Sequence, residues 1–258
     1  MHPILVEYGF LKVHTYGLMV ATGFLIGIMY AANQGRKEGV DPQKILDLCF
    51  YILVSAILGA RLLFVVIEYE HYIDNPLKAL MFWQGGLVYY GGLIGAVITG
   101  WYYIRKHGLP LWQVADLIAP SLAIGQGVGR WGCFFAGCCY GAPTDLPWGI
   151  TFTDPGSLAP LNVALHPTQV YLSLNGLLIF SILMWMRNRK SFHGQLFWMY
   201  GVLYSIGRFI IEYFRDDARG SVLGGVLSTS QFIGILVLVF SIVMLMRLKK
   251  RGDPLPQH

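Results

Sequence analysis

Apolar runs of similar length alternate with short polar segments along almost the whole chain. Seven of these runs approach the roughly 20 residues that a helix needs to cross a hydrocarbon layer of about 30 Å. They are apolar on all sides, which favours helices over the alternating strands of a barrel. The pattern predicts seven transmembrane helices, over residues 14–32, 45–67, 86–104, 112–129, 168–186, 195–211 and 223–246.

The composition supports a membrane protein. With 55% hydrophobic and 13% charged residues and a mean hydropathy of +0.54, the 258-residue chain lies outside the usual range of water-soluble globular domains. No low-complexity linker or internal repeat interrupts it, and its first residues show no cleavable signal-peptide pattern. The expected fold class is all-α, a polytopic integral membrane protein in which residues 1–258 form a single transmembrane domain.

Basic residues predict the orientation of that domain. One alternating set of loops carries twelve Lys and Arg residues and the other set carries four. Because basic loops remain in the cytoplasm, the N-terminus is expected outside and the C-terminus in the cytoplasm. The pI near 9.0 then reflects topology, and nucleic acid is not an expected partner. The twelve are Arg36, Lys37, Lys44, Arg105, Lys106, Arg187, Arg189, Lys190, Arg247, Lys249, Lys250 and Arg251; the four are Lys12, Lys78, Arg215 and Arg219.

Three arginines remain near the outer ends of predicted spans: Arg61, Arg130 and Arg208. An ionisable group at this depth is costly unless it is paired or functional. Each one alone could snorkel to the interface or pair with a carboxylate. Three at one depth favour an anion site, and the phosphate available there belongs to lipid. Glu212 and Arg215 fall on the same helical face as Arg208.

Small residues four apart suggest close helix contacts. Helix packing is the expected role of the first two pairs, whereas the segment "GVGRWG" is expected to crowd its backbone around a ligand. The pairs are Gly23/Gly27, Gly91/Gly95, Gly125/Gly129 and Gly137/Gly141.

Five sequence motifs occur in a specific order along the chain. They are "HTYGL" (14–18), "WQGGLVYYGGLIG" (83–95), "GVGRWGCFFAGCCYG" (127–141), "HPTQVY" (166–171) and "GRFIIEYFR" (207–215). In order and spacing this set resembles the bacterial prolipoprotein diacylglyceryl transferase family, over nearly the whole chain. The resemblance implies an enzyme of the bacterial cytoplasmic (inner) membrane with its active site toward the outer leaflet.

The resemblance also implies a reaction. The diacylglyceryl group of phosphatidylglycerol, a membrane lipid, would move to the lipobox cysteine thiol in the signal peptide of a prolipoprotein, releasing glycerol 1-phosphate. No cofactor and no metal are implied. Arginines would bind the phosphate and stabilise the charge on the leaving group. The acceptor thiol must lose its proton to attack well.

Matching the motifs position by position gives the expected site. The expected catalytic residues include Tyr16, at a position that the family treats as essential. Arg130 matches the arginine that opens the family signature, and Arg208 with Glu212 matches its Arg and Glu pair. Arg130 and Arg208 are expected to hold the lipid phosphate, with Glu212 orienting one of them. The expected substrate-binding residues are Arg61, Gly91, Gly92, Cys133, Cys138, Gly141, His166, Gln169 and Arg215.

The chain departs from the family pattern at four positions. The signature resembles G-R-x-G-N-F-x-N-x-E-x-x-G, yet Cys133 and Ala136 stand at its asparagines and Cys138 at its glutamate. Tyr90 stands where the family has a histidine proposed as proton acceptor. Tyrosine accepts a proton poorly at neutral pH unless cations lower its pKa, so Tyr90 either does so beside arginines or orients substrate. His14 and His166 are the other candidate acceptors.

The cysteines leave several interpretations open. Cys49 is expected to be a packed apolar residue. The spacing C-x4-C-C of Cys133, Cys138 and Cys139 lacks the paired units typical of zinc sites, so metal is not the expected role. The three could be compact fillers, could supply a thiolate base or lipid carrier, or could form a disulfide between Cys133 and one of the pair.

Those interpretations support rival functions. One is a relative with the same lipid site but an altered acceptor or chemistry. Another is a membrane thiol-redox protein using Cys133, Cys138 and Cys139, and a third binds or transports lipid without chemistry. The proline-rich loop 131–167 is expected to form part of the site on the outer side, with Trp83, Trp131 and Trp148 near one interface. Thr168 is expected to cap the fifth span.

Overall fold

Seven α-helices carry the architecture of the described residues. The structure is a computed structural model, and it describes residues 3–8, 11–73, 76–81, 85–215, 221–222 and 227–251. The helices are α1 (Thr15–Lys37), α2 (Pro42–Ile67), α3 (Tyr89–Lys106), α4 (Leu111–Ala136), α5 (Thr168–Arg187), α6 (Gln195–Glu212) and α7 (Thr229–Arg251). The predicted helical class is confirmed.

Short elements connect the helices. Two 3₁₀ turns, Tyr69–Tyr72 and Pro76–Leu80, follow α2. Three antiparallel two-stranded ribbons complete the described structure. Their strands are β1 (Ile4–Tyr8) with β2 (Leu11–His14), β3 (Ile150–Thr151) with β4 (Ala164–Leu165), and β5 (Ser221–Val222) with β6 (Leu227–Ser228).

The helix boundaries follow local chemistry. Asp41 accepts a hydrogen bond from the backbone N–H of Gln43 at 2.9 Å, and Pro42 occupies the first helical position, so α2 begins there. The helix α4 continues past the predicted end at residue 129 to Ala136. The predicted start of the last span at residue 223 lies outside the described residues, as do Trp83 and Arg219.

Apolar surface indicates a membrane environment. By length and composition, four of the described helices can cross a bilayer: α1, α2, α5 and α7. Large side chains on them face outward, as Leu25 and Met29 do on α1 with 59% and 70% of their surface exposed. Water would oppose so much exposed apolar area, whereas lipid solvates it. The chain is therefore a multi-pass membrane protein.

The chain forms two compact units, and a single domain over residues 1–258 remains a prediction. One unit comprises residues 31–114. Within it α2 and α3 pack backbone to backbone, because a Cβ on Gly95 would lie 2.5 Å from the Ser55 carbonyl oxygen. Gly91 packs against the backbone of Gly59 in the same seam. The packing role predicted for Gly91/Gly95 is confirmed.

The other unit comprises residues 1–30 and 115–258 and carries the elements described below. Gly23 of α1 lies against Gly125 of α4, where an added Cβ would come 2.6 Å from the Gly125 carbonyl oxygen. Its buried core lies between α4, α5 and α6 and contains Ala119, Ala123, Ile179, Leu183 and Leu196. The packing role predicted for Gly23 is confirmed as well.

Candidate active site

A tight turn at the end of α4 brings three sulfur atoms together. Cys133 lies in the last turn of the helix, and the N–H of Cys138 donates to its carbonyl oxygen at 3.1 Å. Gly137 (φ +72°) reverses the chain. Cys139 also has a left-handed backbone (φ +60°), which is uncommon for a residue with a side chain. The Sγ atoms of Cys133, Cys138 and Cys139 all lie within 4.8 Å of one another.

The first turn of α5 holds this turn in place. The Thr168 hydroxyl donates to the carbonyl oxygen of Cys139 at 2.6 Å, and the Gln169 side-chain amide donates to that of Cys138 at 2.8 Å. Both side chains are fully buried. The capping role expected of Thr168 is wrong, since the helix begins after Pro167 without a side-chain cap. Gln169, expected to bind substrate, has its amide engaged by backbone.

Gly141 allows three segments to meet. Its N–H donates to the His166 carbonyl oxygen at 2.9 Å, and the N–H of Ala142 donates to that of Phe214 at the same distance. Gly141 also bridges Arg215 in antiparallel fashion. A Cβ at position 141 would collide with the Phe214 carbonyl oxygen, so only glycine permits the approach. The closing glycine of the signature thus joins "HPTQ" to the end of α6.

One carboxylate serves two arginines at the end of α6. Arg208 Nη1 lies 2.6 Å from Glu212 Oε2, and Arg215 Nε lies 4.0 Å from the same oxygen. The Ser228 hydroxyl donates to Glu212 Oε1 at 2.8 Å, and Arg208 Nη2 donates to Ser230 at 3.4 Å. Glu212 is 8% and Arg208 12% exposed at the side chain, so both charges are desolvated. The predicted helical face of Arg208 and Glu212 is observed as an ion pair, whereas the same face predicted for Arg215 is wrong, because α6 ends at Glu212.

Arg130 is placed differently from Arg208. It is half-buried near the end of α4 and, in the described part of the chain, makes no hydrogen bond or salt bridge. Its charge interacts with Tyr16 and Cys133. Tyr16 is 46% exposed, and its backbone lies against Gly132, where a Cβ would sit 2.9 Å from the Tyr16 carbonyl oxygen. This unit therefore groups Tyr16, Arg130 and the cysteine turn.

Cys138 and Cys139, in the turn after α4, differ in the pKa of their thiols. Hydrogen bonds from Cys133 and Cys138 lower the pKa of Cys139 below its ordinary value, and the Arg215 guanidinium adds to the effect. Hydrogen bonding with Cys133 and Cys139 raises the pKa of Cys138. Cys139, which the sequence suggested only as one of three possible thiolates, is the thiolate that this turn favours.

His166 lies in an aromatic cluster beside an apolar groove. Its Nδ1 is 3.2 Å from the Tyr171 hydroxyl oxygen, to which Trp148 Nε1 donates at 2.9 Å. The groove has a volume of about 520 Å³. It is lined by Trp148, Ile150, Pro167, Val170, Tyr171 and Leu174. The predicted loop 131–167 starts later than expected, because residues 131–136 belong to α4, and the rest is folded, with Phe152 in a small core of its own.

The unit of residues 31–114 holds all but one of the remaining predicted residues. The Arg61 guanidinium donates to the carbonyl oxygens of Lys78, Ala79, Gly85 and Gly86 at 2.7 to 3.2 Å. These bonds use four of its five N–H groups. Gly91 and Gly92 are buried against α2. Tyr90 is 52% exposed at the start of α3, and His14, in the other unit, is exposed at the end of β2.

A family model and several curated relatives match nearly the whole chain. The model described as prolipoprotein diacylglyceryl transferase matches residues 3–247. The phosphatidylglycerol–prolipoprotein diacylglyceryl transferase of Clostridium tetani is 39% identical over 244 residues, which cover 94% of this chain and 96% of the relative. The protein of the same name from Thermosynechococcus vestitus is 36% identical over 254 residues, covering 97% and 94%. The phosphatidylglycerol–prolipoprotein diacylglyceryl transferase 2 of Clostridium perfringens is 36% identical over 244 residues, which cover 95% of this chain and 94% of the relative.

Proposed function

The chain belongs to the prolipoprotein diacylglyceryl transferase family, and from this premise we infer how its residues carry out the reaction. The enzyme transfers the diacylglyceryl group of phosphatidylglycerol to prolipoproteins in lipoprotein maturation. In our proposal the acceptor is the lipobox cysteine thiol of the signal peptide. A C–S bond forms at the glyceryl carbon, the C–O bond to phosphate breaks, and glycerol 1-phosphate leaves with the bonding electrons.

Arg130 is the proposed ligand of the lipid phosphate. Its guanidinium is half-buried beside Tyr16 and makes no hydrogen bond or salt bridge among the described residues. A desolvated guanidinium without a carboxylate gains most from binding an anion, and its planar fork fits phosphate oxygens. As the C–O bond breaks, negative charge grows on the phosphate, so the same contact stabilises the transition state. This feature of Arg130 is the observation that carries the proposal.

Arg208, Glu212 and Arg215 form the proposed second part of the anion site. Glu212 lies between both guanidiniums, so it fixes their orientation while leaving the group with a net positive charge. Arg215 also bonds Cys139, which links the group to the cysteine turn. In this proposal Glu212 orients the arginines and contacts no reacting atom.

The other predicted residues keep different roles. Tyr90 and His14 remain proposed catalytic residues from their positions in the motifs. His166 and Gly141 are proposed to shape the substrate site. For Arg61, Gly91, Gly92 and Gln169 we propose support of the backbone, because their contacts are with the protein itself.

A topology of seven spans, with the N-terminus outside and the site toward the outer leaflet of the inner membrane, completes the proposal. The last turns of α1, α3, α5 and α7 all carry basic residues. In an alternating bundle these four ends share one side, which is the cytoplasmic side by the distribution of positive charge. The cysteine turn follows the C-terminal end of α4, on the opposite side.

Purified protein with radiolabelled phosphatidylglycerol and a lipobox peptide tests the reaction. We expect thioether-linked peptide and glycerol phosphate in equal amounts. A peptide with serine in place of the lipobox cysteine is the matched control and should yield neither. Absence of both products with the cysteine peptide would reject the proposal, while glycerol phosphate without lipidated peptide would indicate a different acceptor.

A further inference from the structure

The turn after α4 gathers soft ligands in the geometry of a metal centre. Zinc–thiolate bonds of about 2.3 Å place the sulfur atoms of a tetrahedral site roughly 3.8 Å apart. The three Sγ atoms of Cys133, Cys138 and Cys139 lie within 4.8 Å of one another, so they need to move by no more than about 1 Å. A disulfide between any two would use only two of the three and requires an S–S distance near 2.05 Å.

The backbone that carries these thiols is held by buried hydrogen bonds. The carbonyl oxygens of Cys138 and Cys139 accept from Gln169 and Thr168, whose side chains are fully buried. The Cys138 N–H is engaged by the carbonyl of Cys133. Cys139 keeps a left-handed conformation that its own side chain disfavours. A rigid presentation of this kind is what a ligand set requires, since loosely held thiols lose affinity on ordering.

The surrounding charge suits three thiolates. With a divalent ion they carry one net negative charge, and the guanidinium of Arg215 already bonds the Cys139 side chain. Arg130 interacts electrostatically with Cys133 from the other direction. Hydrogen bonds to metal-bound sulfur from such partners commonly orient and stabilise ligands. Thiolate ligands in a compact tetrahedral arrangement favour zinc over the harder cations.

We propose that Cys133, Cys138 and Cys139 bind one Zn²⁺ ion and leave its fourth coordination position to the acceptor thiol. Within the described residues no fourth Cys, His, Asp or Glu belongs to the group. Three protein ligands with an open position are typical of catalytic rather than structural zinc. This inference rests on the proposed function, because it assigns the zinc to the acceptor of that reaction.

The open position would supply the deprotonation that the transfer needs. The lipobox thiol binds zinc as a thiolate and releases its proton. Its sulfur then attacks the glyceryl carbon, the C–S bond forms, and the C–O electron pair leaves with glycerol phosphate, which takes up one proton. No electrons are gained or lost overall. Arg130, the proposed ligand of the lipid phosphate, interacts with Tyr16 and Cys133, so the lipid would bind beside the cysteine turn.

Metal content tests the ligand set independently of turnover. Full-length protein is purified in detergent without chelators and its zinc is measured by plasma mass spectrometry. We expect one zinc per chain in the wild type and in the control Cys49→Ala, and at least about tenfold less in Cys138→Ala and Cys139→Ala. Cys138→Asp, which restores an oxygen ligand, should regain metal. Circular dichroism confirms that each variant is folded.

Three results would overturn the metal site. These are wild-type protein that takes up no zinc after reconstitution, equal zinc in the wild type and the folded Cys138→Ala and Cys139→Ala variants, and a disulfide between two of the three thiols in protein purified without added oxidant. Cobalt substitution adds a positive signature, since three thiolates give an intense charge-transfer band that Cys49→Ala retains.

The fourth position is tested with the cobalt protein. A lipobox peptide should change the cobalt spectrum, and the serine-substituted peptide should not. No change with the thiol peptide would overturn the open position. Transfer assayed on the same preparation separates the two claims: full transfer by zinc-free protein defeats this inference and leaves the proposed function intact, whereas a thiol-responsive metal site without transfer defeats the proposed function alone.

Discussion

Arg130 and Arg61 differ in what their guanidinium groups contact. Arg130 makes no hydrogen bond or salt bridge in the described residues, whereas Arg61 bonds four carbonyl oxygens. In the proposed site, replacing Arg130 with alanine would remove charged hydrogen bonds to phosphate worth about 1.5–3 kcal/mol each, so kcat/KM should fall by at least about tenfold per bond lost. Arg130→Lys keeps the positive charge but loses the planar guanidinium that binds two phosphate oxygens, so its kcat/KM should lie between those of Arg130→Ala and the wild type.

The matched variant is Arg61→Gln. It removes the guanidinium bonds that join α2 to the segment containing Gly85 and Gly86, leaving their carbonyl oxygens without this donor. We expect a lower melting temperature in detergent, with kcat/KM per folded molecule close to wild type. The reverse pattern, normal stability with lost transfer, would return Arg61 to the substrate site and weaken the distinction drawn from its contacts.

Replacing Glu212 tests how much the carboxylate shared by two arginines stabilises the end of α6. Glu212→Gln preserves the shape and the Ser228 bond but leaves Arg208 without a buried counter-charge, an effect of about 3 kcal/mol or more on stability when a buried pair is broken. Thermal unfolding followed by circular dichroism measures it. Ser228→Ala removes this neutral donor and also the acceptor of the Gln231 N–H at 3.1 Å, and should cost about 1–2 kcal/mol. Equal losses in the two variants would show that the charge is not the main contribution.

Individual residues also mark the limit of sequence prediction. Periodicity placed Arg208 and Glu212 on one face, and they form an ion pair. The three arginines were equivalent in the sequence, because their difference lies in partners such as Ala79 and Ser230 that no local pattern connects to them. The sequence could not distinguish Cys139 from Cys133 and Cys138 for the same reason, since its contact with Arg215 crosses more than seventy positions of chain.

Among the elements, the turn after α4 depends on one glycine. Gly141→Ala would push a Cβ into the Phe214 carbonyl and against His166, separating the turn from α6. Overpacking of this kind costs about 1–3 kcal/mol, so both the melting temperature and transfer should drop. Gly129→Ala is the control: its Cβ meets nothing within 4 Å, and alanine favours a helix over glycine. Comparable destabilisation by both variants would contradict the close approach.

The elements themselves were largely predictable, and their junctions were not. Apolar length located all seven helices, and four-residue spacing identified the seam at Gly91/Gly95. The end of α4 was predicted at residue 129 because polar and small residues follow, yet the helix continues to Ala136. The ribbon of β3 and β4 was likewise missed, since two-residue strands held by tertiary contacts leave no period in the sequence.

For the whole molecule, orientation is the first property to test. Basic residues at the last turns of α1, α3, α5 and α7 predict a cytoplasmic C-terminus. A fluorescent protein fused after residue 251 should fold and fluoresce, whereas alkaline phosphatase at the same position should stay inactive. Fusions within the loop between α4 and α5, residues 137–167, should give the opposite pair of results. Active phosphatase at the C-terminus would invert the topology and move the cysteine turn to the cytoplasm.

Activity in a cell requires the lipid site, the acceptor site and the membrane orientation together. Complementation of a strain that lacks the transferase is therefore the most demanding test. In bacteria depleted of their own transferase, expression of this chain should restore lipoprotein maturation, because the proposed site would bring phosphatidylglycerol and prolipoprotein together at the outer leaflet. Arg130→Ala at equal membrane abundance should not restore it, since no other described guanidinium near Tyr16 is unpaired in the same way. Mass spectrometry of a reporter lipoprotein distinguishes lipidated from unmodified signal peptide. Rescue by Arg130→Ala would show that phosphate is held elsewhere, with the pair of Arg208 and Arg215 as the remaining cations of that unit beside the cysteine turn.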